Sequence, residues 1–238
     1  MKSPCTSPST HDPLVASAQS ILITAGPTHE PIDAVRFIGN RSSGRLGIAL
    51  ADEAARLGWS VTLLLGPTPR LPQDPRVRVH RFQTTADLAA LLLRELLACD
   101  VLVMAAAVAD YRPRVSPADL AGKRRRSKAG MVLDFEATPD LLAACSARRR
   151  PDQLLVGFAL EPRDEMLASA RAKLARKKID MIVANPLGTM DGPTIEATVI
   201  DADDHEHSTP GPIAKEAFAP WLLSIIARRV AAVRARSS

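Results

Sequence analysis

Short apolar runs alternate along this chain with segments of helical periodicity, and that alternation restricts the fold more than any other feature of the sequence. Ile21-Leu22-Ile23-Thr24, Val61-Thr62-Leu63-Leu64-Leu65 and Val101-Leu102-Val103-Met104 show no polar residue every second position, so each reads as a strand buried on both faces. Residues 77–82 form a further predicted strand. Between these runs lie two helices, 45–57 and 85–97. In the first, Leu46, Leu50, Ala54 and Leu57 recur at spacings of three and four, and Gly58 ends the run. The second opens at Thr84-Thr85-Ala86-Asp87, a hydroxyl cap followed by an acid at the positive end of the helix dipole. Strands buried on both faces need helices on both faces, which predicts an α/β protein with a mainly parallel, doubly wound sheet.

Beyond Met104 the pattern loosens. Residues 105–114 read as a strand-end loop, 115–130 as a polar basic loop, 131–135 as a strand, and Thr138-Pro139-Asp140 as the opening of a helix. Strands at 154–158 and 181–184, a helix at 164–177, an edge strand at 197–200 and a last helix at 213–234 complete the expectation. Residues 1–19, rich in Ser, Pro and Thr, read as a disordered leader, leaving 20–238 as a single domain.

The net charge of +5 restricts partners only through its distribution. Lys123-Arg124-Arg125-Arg126 and Lys177-Lys178 are local clusters, and two Trp, one Tyr and five Phe offer little surface for stacking bases, so no nucleic-acid partner is expected. Cys5, Cys99 and Cys145 are odd in number and widely spaced, which suits a reducing cytoplasm and neither a disulfide framework nor a zinc site. The sequence contains no signal-peptide pattern and no apolar run of about 18 residues. No membrane partner and no protein-held metal is expected, and His205-Glu206-His207 reads as a solvated turn.

The chemistry concentrates between Ile21 and Gly47. Gly39-Asn40-Arg41-Ser42-Ser43-Gly44-Arg45-Leu46 has the glycine spacing of a phosphate loop, but Arg45 stands where the lysine belongs and Leu46 where the magnesium-binding hydroxyl belongs. No Gly-x-Gly-x-x-Gly follows Thr24, and Leu65-Gly66 lies where a ribose-binding acid would end the second strand. Ordinary P-loop chemistry is thereby excluded and dinucleotide binding disfavoured. What remains is a helix N-terminus preceded by Ser42, Ser43 and Gly44, with Arg36, Asn40 and Arg41 nearby, suited to an anion. The plainer reading is that one serine merely caps the helix.

Six stretches, in order and spacing, resemble phosphopantothenate–cysteine ligases: 21–33, 36–44, Ala105-Ala106-Ala107-Val108-Ala109-Asp110-Tyr111, Lys123-Arg124-Arg125-Arg126, Val156-Gly157-Phe158-Ala159-Leu160-Glu161 and Asp180-Met181-Ile182-Val183-Ala184-Asn185. The resemblance covers about residues 20–230. It implies a Rossmann-like fold, a homodimer, CTP as co-substrate, Mg2+, and ligation of 4′-phosphopantothenate to L-cysteine through an acyl-cytidylate. In bacteria such ligases are usually fused behind a flavin-dependent decarboxylase, whereas this chain reads as a free-standing ligase with the decarboxylase a separate protein acting downstream.

Residue by residue, the resemblance implies that Asn40 is catalytic, donating to the developing oxyanion and accepting from the attacking amine. Lys123 matches the first lysine of a Lys-x-Lys-Lys flap over the intermediate, here Lys-Arg-Arg-Arg. Met104, Ala105, Ala106 and Asp110 match contacts to the nucleotide's base and sugar. Pro139, Asp140, Leu141, Leu142 and Phe158 match further nucleotide contacts, with Phe158 a wall of the base pocket. Lys173 and Lys177, four apart on one helical face, match a clamp on the triphosphate, and Ser42, Ser43 and Gly44 belong to the anion site. Thr138, Pro162 and the short 186–194 segment depart from the family pattern. Base selection between CTP and ATP is not legible in the sequence. Two other readings stand beside the ligase: an NAD(P)-dependent oxidoreductase, which would need a Tyr-x-x-x-Lys pair where Tyr111 is followed by Val115, and a non-catalytic nucleotide-binding module.

Overall fold

The computed structural model describes residues 19–126, 128, 130–190 and 192–237, with side chains to residue 234. The expected leader therefore lies outside the described residues, except Gln19, which is buried and whose carbonyl accepts the Ser60 amide at 2.8 Å. In chain order the first strands are β1 (Ser20–Ala25), β2 (His29–Pro31), β3 (Phe37–Gly39), β4 (Ser60–Leu65), β5 (Arg78–Arg81), β6 (Val101–Met104) and β7 (Tyr111–Pro113). They are followed by β8 (Phe135–Ala137), β9 (Leu154–Glu161), β10 (Met181–Pro186), β11 (Thr194–Ile195), β12 (Thr198–Asp201), β13 (Glu206–Ser208) and β14 (Ile213–Ala214). The helices are α1 (Arg45–Arg56), α2 (Thr85–Glu95), α3 (Pro117–Leu120), α4 (Leu141–Arg148), α5 (Met166–Lys177) and α6 (Lys215–Ser237).

Eight strands form one sheet in the order β13-β12-β10-β9-β6-β1-β4-β5. Its members from β5 to β10 pair in parallel, while β12 pairs antiparallel with β10 and β13 antiparallel with β12. The doubly wound expectation holds because alternate side chains are buried on opposite faces. Ile21, Ile23, Val61, Leu63, Val101 and Val103 pack with the residues of α1 and α6, among them Leu50 and Phe218. Leu22, Leu64, Leu102, Leu155 and Ile182 pack with Leu88, Leu142 and Leu174 of α2, α4 and α5. The chain runs outward from β1 to β4 and β5 on one side and to β6, β9 and β10 on the other, so the winding reverses between β1 and β6. Ligands of such sheets bind at that reversal, beyond the carboxyl ends of the strands.

The structure corrects several boundaries. Residues 131–134 form no strand; Val132 is 89% exposed, and the strand lies later, at β8, paired antiparallel with β7 away from the main sheet. An apolar run of three residues that never reaches the sheet carries no more signal than a loop. The 197–200 strand is not an edge, since β13 covers it and takes up part of the expected solvated turn at 205–207. Residues 29–39, which showed no strand pattern, contain the β2–β3 hairpin, with His29 stacked on Phe37 at 3.7 Å between ring centroids. Buried Glu30 fastens this hairpin to α2 by accepting from the Thr85 amide at 2.8 Å and the Thr85 hydroxyl at 2.7 Å.

Gly47, in the first turn of α1, sets how closely that helix meets β1: a Cβ there would stand 2.5 Å from the Ala25 Cβ and 3.2 Å from the Thr24 carbonyl oxygen. Gly47→Ala must push the start of α1 off the strand, an overpacking cost of about 1–3 kcal/mol. Urea unfolding should record that loss, with an unchanged denaturant slope.

Candidate active site

A cleft of about 560 Å3 opens beyond the carboxyl ends of β1, β6, β9 and β10, a size that suits a nucleotide or small metabolite. Residues 39–47 form one wall, residues 105–108 and Asp110 the floor, and Phe158, Leu160, Asn185, Thr189, Met190, Ile195 and Lys215 the remainder. The floor arises because β1 and β6 keep pairing past their ends. Ala105 donates to the Thr24 carbonyl at 3.2 Å, Ala107 to that of Gly26 at 2.9 Å, and Thr28 to that of Ala107 at 3.1 Å. Small side chains at 105–107 keep this ledge open to a ligand.

At the wall, Gly44 is the N-cap of α1 and lies in the left-handed region at φ 70°. No side chain caps the helix and no acid occupies its first turn. Ser42 Oγ accepts only a 3.4 Å contact from the Gly44 amide, and the Ser43 carbonyl accepts from Thr68 Oγ1 at 3.0 Å. The serine-cap alternative therefore fails, and the first-turn amides of α1 line the cleft in the manner of an anion site. Just before them, Asn40 Nδ2 donates to the Val108 carbonyl at 2.9 Å, tying the wall to the floor. One N–H and the amide oxygen of Asn40 remain for a ligand.

Of the residues singled out in the sequence, the cleft gathers Asn40, Ser42, Ser43, Gly44, Ala105, Ala106, Asp110 and Phe158. Phe158 also packs on the α1–α6 side of the core, so it serves both pocket and interior. The others lie elsewhere. Met104 is buried beneath the floor, its sulfur accepting from Thr24 Oγ1 at 3.8 Å, and Lys123 is exposed on the basic loop. Asp140 caps α4 through the Ala143 amide at 3.1 Å, while Leu141 and Leu142 are buried under α4. Pro139 leads into that cap, and the segment joins the floor where the Thr138 amide donates to the Asp110 carbonyl at 2.9 Å.

Lys173 and Lys177 do not face the cleft as a pair. Lys173 is ion-paired with Glu161, and Lys177 with Asp140 at 2.8 Å. The bond from Lys173 holds Glu161 below the usual carboxylate range. Partial burial acts against ionisation of Asp140, yet the Lys177 ammonium and the Ala143 amide together keep it low. Residues that sequence reasoning gave no role are Asn185, Thr189 and Lys215. Asn185 and Lys215 are buried at 9% and 7% exposure, and the signal available was a polar residue closing an apolar strand and a lysine opening an apolar helix.

A second polar centre holds the basic loop. Buried Asp33 accepts from the amides of Val35 at 2.9 Å, Arg36 at 2.8 Å and Arg124 at 3.1 Å, and from Arg36 Nε at 2.9 Å. Arg36 in turn donates to the Arg124 carbonyl at 3.0 Å, and the Ala34 amide to the Gly122 carbonyl at 3.1 Å. Lys123 is thus flanked by two residues fastened to the turn between β2 and β3. The Arg36 guanidinium, against some cost of burial and with help from the amides, holds the Asp33 carboxyl far below its ordinary range. At the opposite end of the sheet, Asp201, Asp203 and His205 form a group whose ligand atoms lie within 4.8 Å of one another. Asp201 is already engaged there by His205 and, at 3.4 Å, by Arg229.

Residues 16–230 match the DNA/pantothenate metabolism flavoprotein C-terminal domain. Among curated proteins, a cysteine/cysteine sulfinic acid decarboxylase of an unknown prokaryotic organism is 41% identical over 84% of this chain and 57% of its own length. The coenzyme A biosynthesis bifunctional protein CoaBC of Vibrio cholerae is 35% identical over 90% of this chain and 53% of its own. The chain thus spans about half the length of these relatives. A crystal structure of the C-terminal domain of a coenzyme A biosynthesis bifunctional protein CoaBC superposes with a TM-score of 0.74 and 33% identity, covering 89% of this chain and 95% of that one.

The Asp33 centre has a defined pH signature. Because the folded carboxyl titrates below the unfolded one, its contribution is complete above about pH 4 and fades as pH falls through the lower folded value. The stability difference between wild type and Asp33→Asn, measured by chemical denaturation, should be flat from pH 8 to pH 5 and close below about pH 4.

Proposed function

Because the chain belongs to the family of the DNA/pantothenate metabolism flavoprotein C-terminal domain, we propose that it is a phosphopantothenate–cysteine ligase. It joins 4′-phosphopantothenate to L-cysteine at the expense of CTP. The observation that carries this reading is the convergence of Asn40, the uncapped start of α1 and the open 105–107 ledge in one cleft at the reversal between β1 and β6. Amide formation from a carboxylate needs activation. Here the pantothenate carboxylate attacks the α-phosphorus of CTP, pyrophosphate leaves, and an acyl-cytidylate forms. The cysteine amine then attacks the acyl carbon and CMP departs.

A polyanionic reaction of this kind asks the protein for positioning and charge compensation more than for a nucleophile. The first-turn amides of α1 suit a phosphate, the ledge at Ala105 and Ala106 suits a flat base, and Phe158 walls it. Asn40, held by Val108, keeps one N–H for the oxygen on which charge develops and a carbonyl for the incoming amine. Asp110 is the one carboxylate among the described residues lining the cleft. That donor set fits a magnesium ion brought in on the triphosphate, which needs only one or two protein carboxylates. The ion would supply charge neutralisation there.

Lys123, on its tethered loop, is the residue to close over the intermediate, and the ion-paired Lys173 and Lys177 would exchange their carboxylates for phosphate when the nucleotide binds. Exposed Val35, Phe37 and Ile38 on and beside the hairpin support a homodimer. No helix among the described residues is long and apolar enough to cross a membrane, and the three dispersed cysteines support a cytoplasmic site of action. The decarboxylase named among the relatives favours a second reading, loss of CO2 from cysteine. It ranks behind the ligase because the chain superposes on 95% of the C-terminal domain of a CoaBC protein, a match to that domain as a whole.

Incubation with 4′-phosphopantothenate and CTP or ATP, with and without cysteine, should release pyrophosphate, and cysteine should make the release multiple-turnover. No release under any combination sinks the ligase reading, while CO2 released from cysteine alone would establish the rival. Asn40→Asp should still release pyrophosphate once yet transfer the acyl group to cysteine at least about a hundredfold more slowly. Loss of the first half-reaction instead would mean that Asn40 acts earlier.

A further inference from the structure

The cleft continues from the 105–107 ledge across the ends of β9 and β10, whose register pairs Val183 with Phe158 and Asn185 with Leu160. Met181 and Val183 are buried on the α1–α6 side of the core, and two positions on, where a third apolar side chain would extend that row, stands Asn185. It is 9% exposed and lines the cavity beside Leu160, Met190 and Ile195. Its surroundings fix which way the amide faces. Thr189 Oγ1 donates to the Pro186 carbonyl at 2.8 Å, so its single proton is engaged and it accepts from Asn185 Nδ2 at 2.9 Å. The Asn185 oxygen is thereby turned away from Thr189, and no donor among the described residues meets it. That oxygen is not sealed into the interior, and the cavity is the side from which a donor reaches it.

We propose that this end of the cleft seats the branched aliphatic arm of 4′-phosphopantothenate, with Asn185 Oδ1 accepting a hydrogen bond from it. This rests on the ligase reading and gives one substrate its place. A nearly buried amide oxygen without a donor costs free energy that a ligand's N–H or O–H recovers. The same ligand has to suit the apolar walls that Leu160, Met190 and Ile195 provide around that oxygen. Between its phosphate and its carboxylate, phosphopantothenate carries a carbon bearing a pair of methyl groups, then a secondary hydroxyl, then an amide N–H. The methyl-bearing carbon is a single methylene from the phosphate ester oxygen, so a phosphate held at the α1 amides leaves the methyls to meet those walls within one cavity. A nucleotide has no such branch: its sugar is polar and its base is flat, which suits the ledge instead. The donor to Asn185 is the secondary hydroxyl or the amide N–H, since one acceptor takes either.

Isothermal titration of wild type and Asn185→Leu with CTP and separately with 4′-phosphopantothenate tests this, together with a pair of phosphopantothenate analogues. One analogue has hydrogen in place of the secondary hydroxyl, the other an ester oxygen in place of the amide N–H. Asn185→Leu should weaken phosphopantothenate about tenfold, the order of one hydrogen bond, and leave CTP within about twofold. Wild type should lose a similar factor on one of the analogues, which identifies the donor, and Asn185→Leu should bind that analogue and the parent equally well. A loss for CTP, alone or alongside, overturns the assignment, as does an unchanged affinity for phosphopantothenate. So does an equal loss for the parent and both analogues, which would mean that Asn185 only holds the turn at Thr189. Should Asn185→Leu melt early, Asn185→Ala replaces it with the same criteria. Wild type that binds neither CTP, ATP nor phosphopantothenate overturns the ligase reading itself.

Discussion

The close approach of α1 to the carboxyl end of β1 is the constraint on which the rest of the molecule depends. Gly47 leaves no room for a Cβ against Ala25, and Gly44 turns the chain through the left-handed region immediately before the helix. Together they bring uncapped amides to the edge of the sheet at the point where its winding reverses. A side chain at Gly47 would push the start of α1 off the strand and one at Gly44 would strain its left-handed backbone, and Asn40 reaches across to Val108 from the same wall. The proposed anion site would therefore be a packing consequence, made from backbone rather than from a particular side chain.

A second dependency links the hairpin, the floor and the basic loop. Thr28 joins β1 to β6 through Ala107 and, by its hydroxyl, accepts the Ala109 amide at 3.0 Å. Glu30 fastens the hairpin to α2, and Asp33 fastens its turn to the loop carrying Lys123. Three buried polar residues within six positions thus fix three separate pieces of the site. A buried, fully bonded polar group specifies one arrangement strongly, because losing any partner leaves it unpaired in a poor solvent for charge.

The ion pairs of α5 describe a different economy. Lys173 and Lys177 would repel one another at their helical spacing, and the carboxylates of Glu161 and Asp140 relieve that repulsion. One acid closes β9, which borders the cleft, and the other caps α4. A bound polyanion would compete for the same ammonium groups. Such a region answers to ionic strength more than the Asp33 centre does, because its side chains are partly solvated and Asp33's is fully enclosed.

The amino-acid order alone determined the layered α/β plan, since apolar runs without period-two alternation can only be strands covered on both faces. It also determined the helix at 45–56 with its glycine stops, and it singled out Asn40, Ser42, Ser43 and Gly44, whose polar density has no place in a plain turn. The hairpin at 29–39 was not legible, because its strands are three residues long and are held by Glu30 and a His29–Phe37 stack instead of by an apolar pattern. Only the tertiary structure decided that the serines leave α1 uncapped, that Arg45 is drawn to Glu216, and that Asn185 and Lys215, thirty positions apart, face one cleft. Local pattern reports which groups seek burial; where two polar groups meet depends on strand order and helix packing, which no window of sequence contains.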